Sequence, residues 1–346
     1  MKTKSDRIKV GISVGDINGI GIEVILKTFE DKRMFELCTP VVFASNKLMQ
    51  VYKKEVKLEV PTFEINHIDK VQPGKLNVLS VWKEEVKLAL GSEQEQGGTY
   101  AFKSLDAAVK SLRAKEVDVL LTAPINKHNI QSDTFNFQGH TEFLEANLEG
   151  ESLMILLCDS LKIGLFTGHI PVHKIADSIT AELIERKLQI MHNSLRVDFN
   201  INKPKIAVLG LNPHCGDHGV IGSEDEDIVR PTIEKLNDQG QLIFGPYAAD
   251  SFFGSETYLK FDGVMAMYHD QGLAPFKTLS FGTGVNFTAG LDRVRTSPDH
   301  GTAYEIAGKG VANHESFKQA LYTGIDVFRA RASNLKLQKN KIEITP

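Results

Sequence analysis

A chain of 346 residues, 42% hydrophobic and 24% charged, is long enough to bury two medium α/β cores. Its formal net charge of −4, with no basic run beyond the first few residues, excludes the electrostatic footprint of a DNA or RNA binder. Three scattered cysteines, Cys38, Cys158 and Cys215, exclude a disulfide framework or a Cys-rich zinc module.

No stretch matches the roughly 20 apolar residues of a bilayer span. The most apolar, residues 153–166, carries Asp159 and Lys162. The first residues are polar and lack an apolar signal core, so a cytoplasmic protein without membrane partners is expected.

In chain order, residues 8–14 predict a strand that runs into Gly15-Asp16 and a glycine-rich turn, Asp16-Ile-Asn-Gly-Ile-Gly-Ile-Glu23. The turn lacks the Gly-x-Gly-x-x-Gly spacing of a Rossmann fingerprint and the Gly-Lys-Ser/Thr of a P-loop, so its glycines are assigned to close packing. Ala101, Phe102, Leu105, Ala108, Val109 and Leu112 share one helical face. Residues 117–121 then predict a buried strand ending in Thr122-Ala-Pro-Ile-Asn-Lys127. Gly139-His-Thr-Glu142 precedes an amphipathic stretch, where Thr141 serves either as a helix cap or as a ligand contact. A second helix is predicted over 179–195 from Ile184, Leu188, Met191 and Leu195.

Three further apolar runs end in histidine: His169 in Thr167-Gly-His-Ile-Pro171, His214 in Asn212-Pro-His214, and His269 in Met267-Tyr-His-Asp270. Short β-branched runs alternating with helical patterns predict repeated β-α units in a mainly parallel sheet, whose strand ends carry the ligand-binding groups. No linker marks a boundary. The expected architecture is two interwoven α/β/α lobes with the active-site cleft between them: residues 1–130 with about 290–346, and about 131–289. The expected crossovers are 126–140 and 282–290.

A single histidine is more often a hydrogen-bonded structural residue than a ligand; shared placement at three strand ends is what points to a divalent metal. Neutral imidazoles suit Zn²⁺ or Co²⁺, and three protein ligands leave positions open for substrate. His214 and His218 have helical spacing, but Pro213, Gly216 and Gly219 oppose a helix there. Downstream, Lys277, Asn286 and Arg295 around Gly282-Thr-Gly284 offer the point charge and planar fork that a phosphate monoester needs; the alternative is solvated surface charge.

The run Asp299-His-Gly-Thr-Ala-Tyr-Glu-Ile-Ala-Gly-Lys-Gly-Val-Ala-Asn313 resembles the loop with which metal-dependent β-decarboxylating dehydrogenases, such as isopropylmalate and isocitrate dehydrogenases, hold the adenosine part of NAD(P). That likeness implies an isopropylmalate dehydrogenase-like fold, with His300, Gly301, Thr302, Ala303 and Asn313 at the cofactor. Through these motifs and Arg295-Thr-Ser-Pro-Asp-His-Gly-Thr302, nearly the whole chain resembles the 4-hydroxythreonine-4-phosphate dehydrogenase family of vitamin B6 synthesis.

The resemblance implies His169, His214 and His269 as ligands of one divalent ion (Zn, Co or Mg), the last supplied across a homodimer interface. It implies His140, Thr141, Lys277, Asn286 and Arg295 as substrate contacts, and NAD or NADP as cofactor. The implied reaction oxidises a carbinol to a β-keto acid that loses CO₂, giving 3-amino-2-oxopropyl phosphate. The general base is open among Asp250, Asp270 and Lys127, since either aspartate also suits the role of orienting a metal-bound imidazole. The nearest alternative is a threonate- or erythronate-4-phosphate dehydrogenase; a phosphate acyltransferase or a non-catalytic metabolite-binding protein is more remote. The chain departs from the family at Ile17 and Ile22, where prolines are usual, and at Cys215 and His218, which bear on metal preference.

Overall fold

The computed structural model describes residues 7–339. They fall into two compact units: the chain up to Gly150 with Leu291–Ile325, and Glu151–Gly290 with the chain from Asp326 onward.

The first unit contains β1 (Lys9–Ser13), α1 (Gly21–Glu30), α2 (Met34–Leu37), β2 (Thr39–Ala44), α3 (Asn46–Glu55), β3 (Thr62–Ile65), β4 (Leu76–Ser80), α4 (Glu95–Arg113), β5 (Val119–Thr122) and α5 (His140–Asn147). After the excursion through the second unit the chain returns as β12 (Val294–Pro298) and enters α11 (Glu315–Lys339). Six strands lie in the order β3-β4-β2-β1-β5-β12 with every pairing parallel. Every residue of β2 and β5 is buried, the expected state of a parallel strand covered on both faces. The predicted apolar face of α4 packs Leu105, Ala108, Val109 and Leu112 against Val41, Phe43 and Leu120. From β1 the chain crosses to β2 on one side and later returns to β5 on the other. That reversal makes the carboxyl ends of β1 and β5 a topological switch point, the place where α/β folds bind ligands.

The second unit contains β6 (Gly150–Cys158), β7 (Leu161–Leu165), α6 (Ile175–Ser178), α7 (Ala181–Val197), β8 (Lys205–Leu209), α8 (Arg230–Asp238), β9 (Leu242–Tyr247), α9 (Ala249–Gly254), β10 (Gly263–Ala266), α10 (His269–Ser280) and β11 (Val285–Leu291). Its strand order is β11-β6-β7-β10-β8-β9, with β6 and β7 antiparallel and β7, β10, β8 and β9 parallel. The apolar run at 153–166 is therefore a hairpin, and Asp159 sits in its turn. Along α7, Ile184, Leu188, Met191 and Leu195 are fully buried.

The units differ from the expected lobes in two places. Residues 131–150 stay with the first unit because Phe135, Phe143 and Leu144 join the cluster on α4, so 126–140 is no crossover. The chain beyond Ile325 belongs to the second unit, where Arg331 pairs with the buried Asp198 at 2.6 Å and Asn334 donates to the carbonyl of Val197. Among the described residues no helix is long and apolar enough to cross a membrane.

Candidate active site

In the first unit, chemistry collects around the carboxyl ends of β5 and β12. Arg295 on β12 is 2% exposed, and its Nε and Nη2 donate to Oγ1 of Thr122 at the end of β5, at 3.1 and 2.7 Å. Burial pulls the guanidinium down to about 9, with Glu142 acting in the opposite direction. His140 opens α5, and its enclosed Nε2 meets no hydrogen-bond partner. Its pKa is held well below the ordinary value by burial, then by the charges of Arg295 and Lys127. Arg295 and Lys127 thus act on the neutral imidazole, and the Glu142 carboxylate acts on Arg295. A phosphate reaching His140 would give its Nε2 the partner it lacks.

The Lys127 stem runs beside Gly139, whose Cβ would stand 3.7 Å from Cε. Gly139 also occupies the cap position of α5, so Thr141 is a first-turn residue and not the cap. Tight packing of Phe135, Phe137 and Phe143, with ring centroids 5.3–5.4 Å apart, fixes where α5 starts.

In the second unit the three histidines follow adjacent strand ends. Thr167 beyond β7 donates its hydroxyl to the carbonyl of Met267 beyond β10, at 2.7 Å. Gln271 accepts from Met267 N–H and donates to the carbonyl of Gly210 beyond β8, both at 2.7 Å. The fully buried Asp225 accepts the N–H groups of Leu211 and Asn212 at 2.8 and 2.9 Å, setting the exit from β8 just before His214. From there His214, Cys215, Asp217 and His218 all take left-handed backbone, with φ between 44° and 54°, so no helix joins His214 to His218.

The rings of His169 and His269 lie 5.3 Å apart. Two imidazoles bound at about 2.0–2.1 Å to one tetrahedral ion have centroids about 5 Å apart, so the pair fits a shared metal. His269 Nδ1 donates to Asp270 at 2.7 Å, which leaves Nε2 as the lone-pair nitrogen. Asp270 is therefore placed to orient His269. His214 is electrostatically close to Asp250, which is held below the ordinary carboxylate range chiefly by hydrogen bonds from Ser251. Among the described residues no three His, Cys, Asp or Glu side chains of the chain converge as a metal-binding group. Burial, followed by Asp225, pushes the Cys215 thiol up to about 11, so it is neutral at pH 7. Lys277 is exposed on α10, and Asn286 on β11 has an enclosed Oδ1 without a partner.

The 300–313 loop returns to the first unit. His300 Nδ1 meets the carbonyl of Gly301 at 3.0 Å, Ala303 is left-handed, and the Thr302 carbonyl accepts from Ile20 N–H at 2.9 Å. Asn313 uses its Oδ1 to accept the N–H of Glu315 at the start of α11.

Asp225 and the cross-strand roles of Thr167 and Gln271 were not readable in advance. Asp225 stands in Ser223-Glu-Asp-Glu-Asp227, which reads as solvated charge, and only its burial distinguishes it. Gln271 directly follows Met267-Tyr-His-Asp270, but the carbonyl it donates to, that of Gly210, lies beyond β8, 61 residues away.

Fold and site together define a protein of two α/β units with a buried arginine and histidine at the strand ends of the first and a histidine pair spaced for a metal in the second. The fold is shared with isocitrate dehydrogenase from Methylococcus capsulatus at a TM-score of 0.51 and 13% identity, covering 96% of this chain and 89% of that one. The chain belongs to the family described as pyridoxal phosphate biosynthetic protein PdxA, whose model matches residues 36–324. It is 48% identical over 330 residues to a 4-hydroxythreonine-4-phosphate dehydrogenase of Bacteroides thetaiotaomicron, covering 95% of this chain and 91% of the relative. A D-threonate 4-phosphate dehydrogenase of Cupriavidus necator is 35% identical, with 93% and 98% covered. Among solved structures, a 4-hydroxythreonine-4-phosphate dehydrogenase from Klebsiella pneumoniae superposes with a TM-score of 0.80 at 30% identity, covering 94% and 99%.

Proposed function

We propose that this chain is a cytoplasmic, NAD(P)-dependent dehydrogenase that oxidises 4-phosphohydroxy-L-threonine and releases CO₂ and 3-amino-2-oxopropyl phosphate. The observation that carries the reading is the buried Arg295 acting on the neutral His140, in a chain 48% identical to a relative of that name. Arg295, His140, Lys277 and Asn286 hold the phosphate and so fix the reacting carbon at a set distance, without touching the bonds that change, and the general base stays open among Asp250, Asp270 and Lys127. Thr141 is proposed as a further substrate contact.

His169, His214 and His269 are the proposed metal ligands, with Asp270 fixing the ring of His269 through its Nδ1–H. A divalent ion held there would polarise first the substrate hydroxyl and then the ketone, favouring loss of CO₂ from the β-keto acid. His300, Gly301, Thr302, Ala303 and Asn313 would hold the adenosine half of NAD(P), whose nicotinamide would supply the hydride acceptor. A homodimer completing the metal site across its interface is part of the proposal, and loss of activity on dilution to monomer tests it.

The deciding experiment follows absorbance at 340 nm with metal-stripped protein, NAD⁺ or NADP⁺, and Zn²⁺, Co²⁺ or Mg²⁺ added back. Metal-dependent turnover of 4-phosphohydroxy-L-threonine with CO₂ release supports the reading. Preference for D-threonate 4-phosphate would move the chain to the reaction named for its Cupriavidus relative. No turnover of either compound would overturn the dehydrogenase assignment.

A further inference from the structure

The turn at residues 16–23 has no part in the proposed reaction, yet two fully buried carboxylates sit in it. Asp16 accepts from Asn18 N–H at 2.9 Å, from Asn129 Nδ2 at 2.7 Å and from the hydroxyl of Tyr304 at 2.8 Å. Tyr304 lies inside the 300–313 loop. Farther along that loop, Glu23 accepts the N–H of Ala312 at 2.8 Å and pairs with Lys27 at 3.1 Å. The Lys27 ammonium donates to the carbonyls of Gly310 and Ala312 at 2.9 and 2.7 Å.

The other side of the turn holds a second segment. Asn18 accepts the N–H of Ala89 on its side chain at 2.8 Å and that of Gly91 on its carbonyl at 2.9 Å. Both segments come too near for side chains: a Cβ on Gly19 would stand 2.8 Å from the Thr302 carbonyl oxygen, and one on Gly91 2.9 Å from that of Tyr304. Of the turn's glycines assigned to close packing, Gly19 therefore serves contact with the loop that carries the cofactor motif, while Gly21 packs against Val14 and Ala123.

A bland account would have these groups merely satisfying a loop's backbone. Neutral side chains could do that, whereas burying Asp16 and Glu23 is costly and is repaid only where one geometry must be fixed. The loop so fixed has left-handed residues at Ala303, Gly308 and Gly310. A free chain would sample that conformation rarely, so holding it in advance removes an ordering cost from ligand binding.

We propose that the 16–23 turn is the anchor that keeps the 300–313 loop in its cofactor-receiving form. Tyr304 and Lys27 act as positioning residues that set affinity for the adenosine half of the dinucleotide. This rests on the assignment of that loop to the cofactor.

The test is calorimetric binding of ADP-ribose to the full chain, with amide exchange at Ile306, Ala307 and Lys309, whose N–H groups donate within the loop. Tyr304→Phe keeps the ring and leaves Asp16 two donors; Lys27→Met keeps the apolar stem. Tyr304→Phe is expected to bind ADP-ribose about tenfold more weakly, the shift in loop population that follows loss of one hydrogen bond to a charged group, and Lys27→Met, which loses two hydrogen bonds from its ammonium and the pair with Glu23, at least as much. Exchange at the three amides should quicken, while KM for the phosphorylated substrate at saturating NAD(P)⁺ stays within twofold. Variants that bind ADP-ribose within twofold of the parent would overturn the anchor, as would an equal loss of substrate affinity, which marks general loosening. A parent chain that binds no ADP-ribose at millimolar concentration would overturn the cofactor assignment itself, a result distinct from failure of the anchor. Should Tyr304→Phe fail to fold, Lys27→Met decides.

Discussion

Replacing Asp225 with asparagine tests how the histidine loops are held. The carboxylate accepts two backbone N–H groups, from Leu211 and Asn212, at 2.8 and 2.9 Å with no solvent exposure. Asparagine has nearly the same shape but keeps only one acceptor, and its amide NH₂ is turned toward the second N–H. One charge-assisted hydrogen bond is lost and one buried donor is left unmet, which together cost about 3 kcal/mol. At ~2.1 cal/mol/K of unfolding entropy per residue, that lowers Tm by about 4 °C if the chain melts as a whole, or about 9 °C if the second unit of roughly 160 residues melts alone. The loosened exit from β8 also frees His214, so Co²⁺ affinity, followed by the visible absorption of the bound ion, should fall about 10- to 100-fold. Differential scanning calorimetry and a Co²⁺ titration on one preparation provide both numbers. A Tm within 1 °C of the parent together with unchanged Co²⁺ affinity would refute the reasoning, because the two amides would then not depend on the charge.

With the guanidinium on the end of the substrate that does not react, as proposed, Arg295→Met should raise KM for the phosphorylated substrate about 100-fold while lowering kcat much less; steady-state kinetics with an unchanged KM would count against the phosphate assignment. Stability should also depend on His140. Its folded pKa lies well below its unfolded value of about 6.5, so below that pH the unfolded chain takes up a proton that the folded chain refuses. Stability is therefore unaffected above pH ~6.5 and falls below it, with His192 and His314 shifted in the same direction by burial. The drop in Tm between pH 7.5 and 5.5 should be smaller in His140→Gln than in the parent, and an equal drop would contradict the shift. Asp198→Ala strands Arg331 and the hydroxyl of Ser194, each held by that carboxylate, and should cost about 3 kcal/mol in urea unfolding. A midpoint unmoved by the change would show that the end of α11 is not anchored there.

The sequence alone determined whatever depends on local pattern. Parallel strands buried on both faces are continuous apolar runs, so β5 was placed to within two residues, and helical spacing identified the buried faces of α4 and α7. The strand-end histidines and the absence of a helix between His214 and His218 were equally legible, since Pro213, Gly216 and Gly219 are local signals. Residue type and loop placement singled out Arg295 as a phosphate contact, and family likeness added His140 to it.

What only the tertiary structure decided depends on contacts distant in sequence. The extent of the first unit followed from Phe135 and Phe143 packing on α4, which periodicity does not encode. The second unit's claim on the end of α11 followed from Asp198 meeting Arg331 across 133 residues of chain. Asp225 looked like surface charge until the fold buried it. The glycine-rich turn had no recognised motif, and its partner Tyr304 stands 288 residues away from Asp16. Burial and pairing are properties of the assembled core; a chain records them only as residue types whose partners the fold selects.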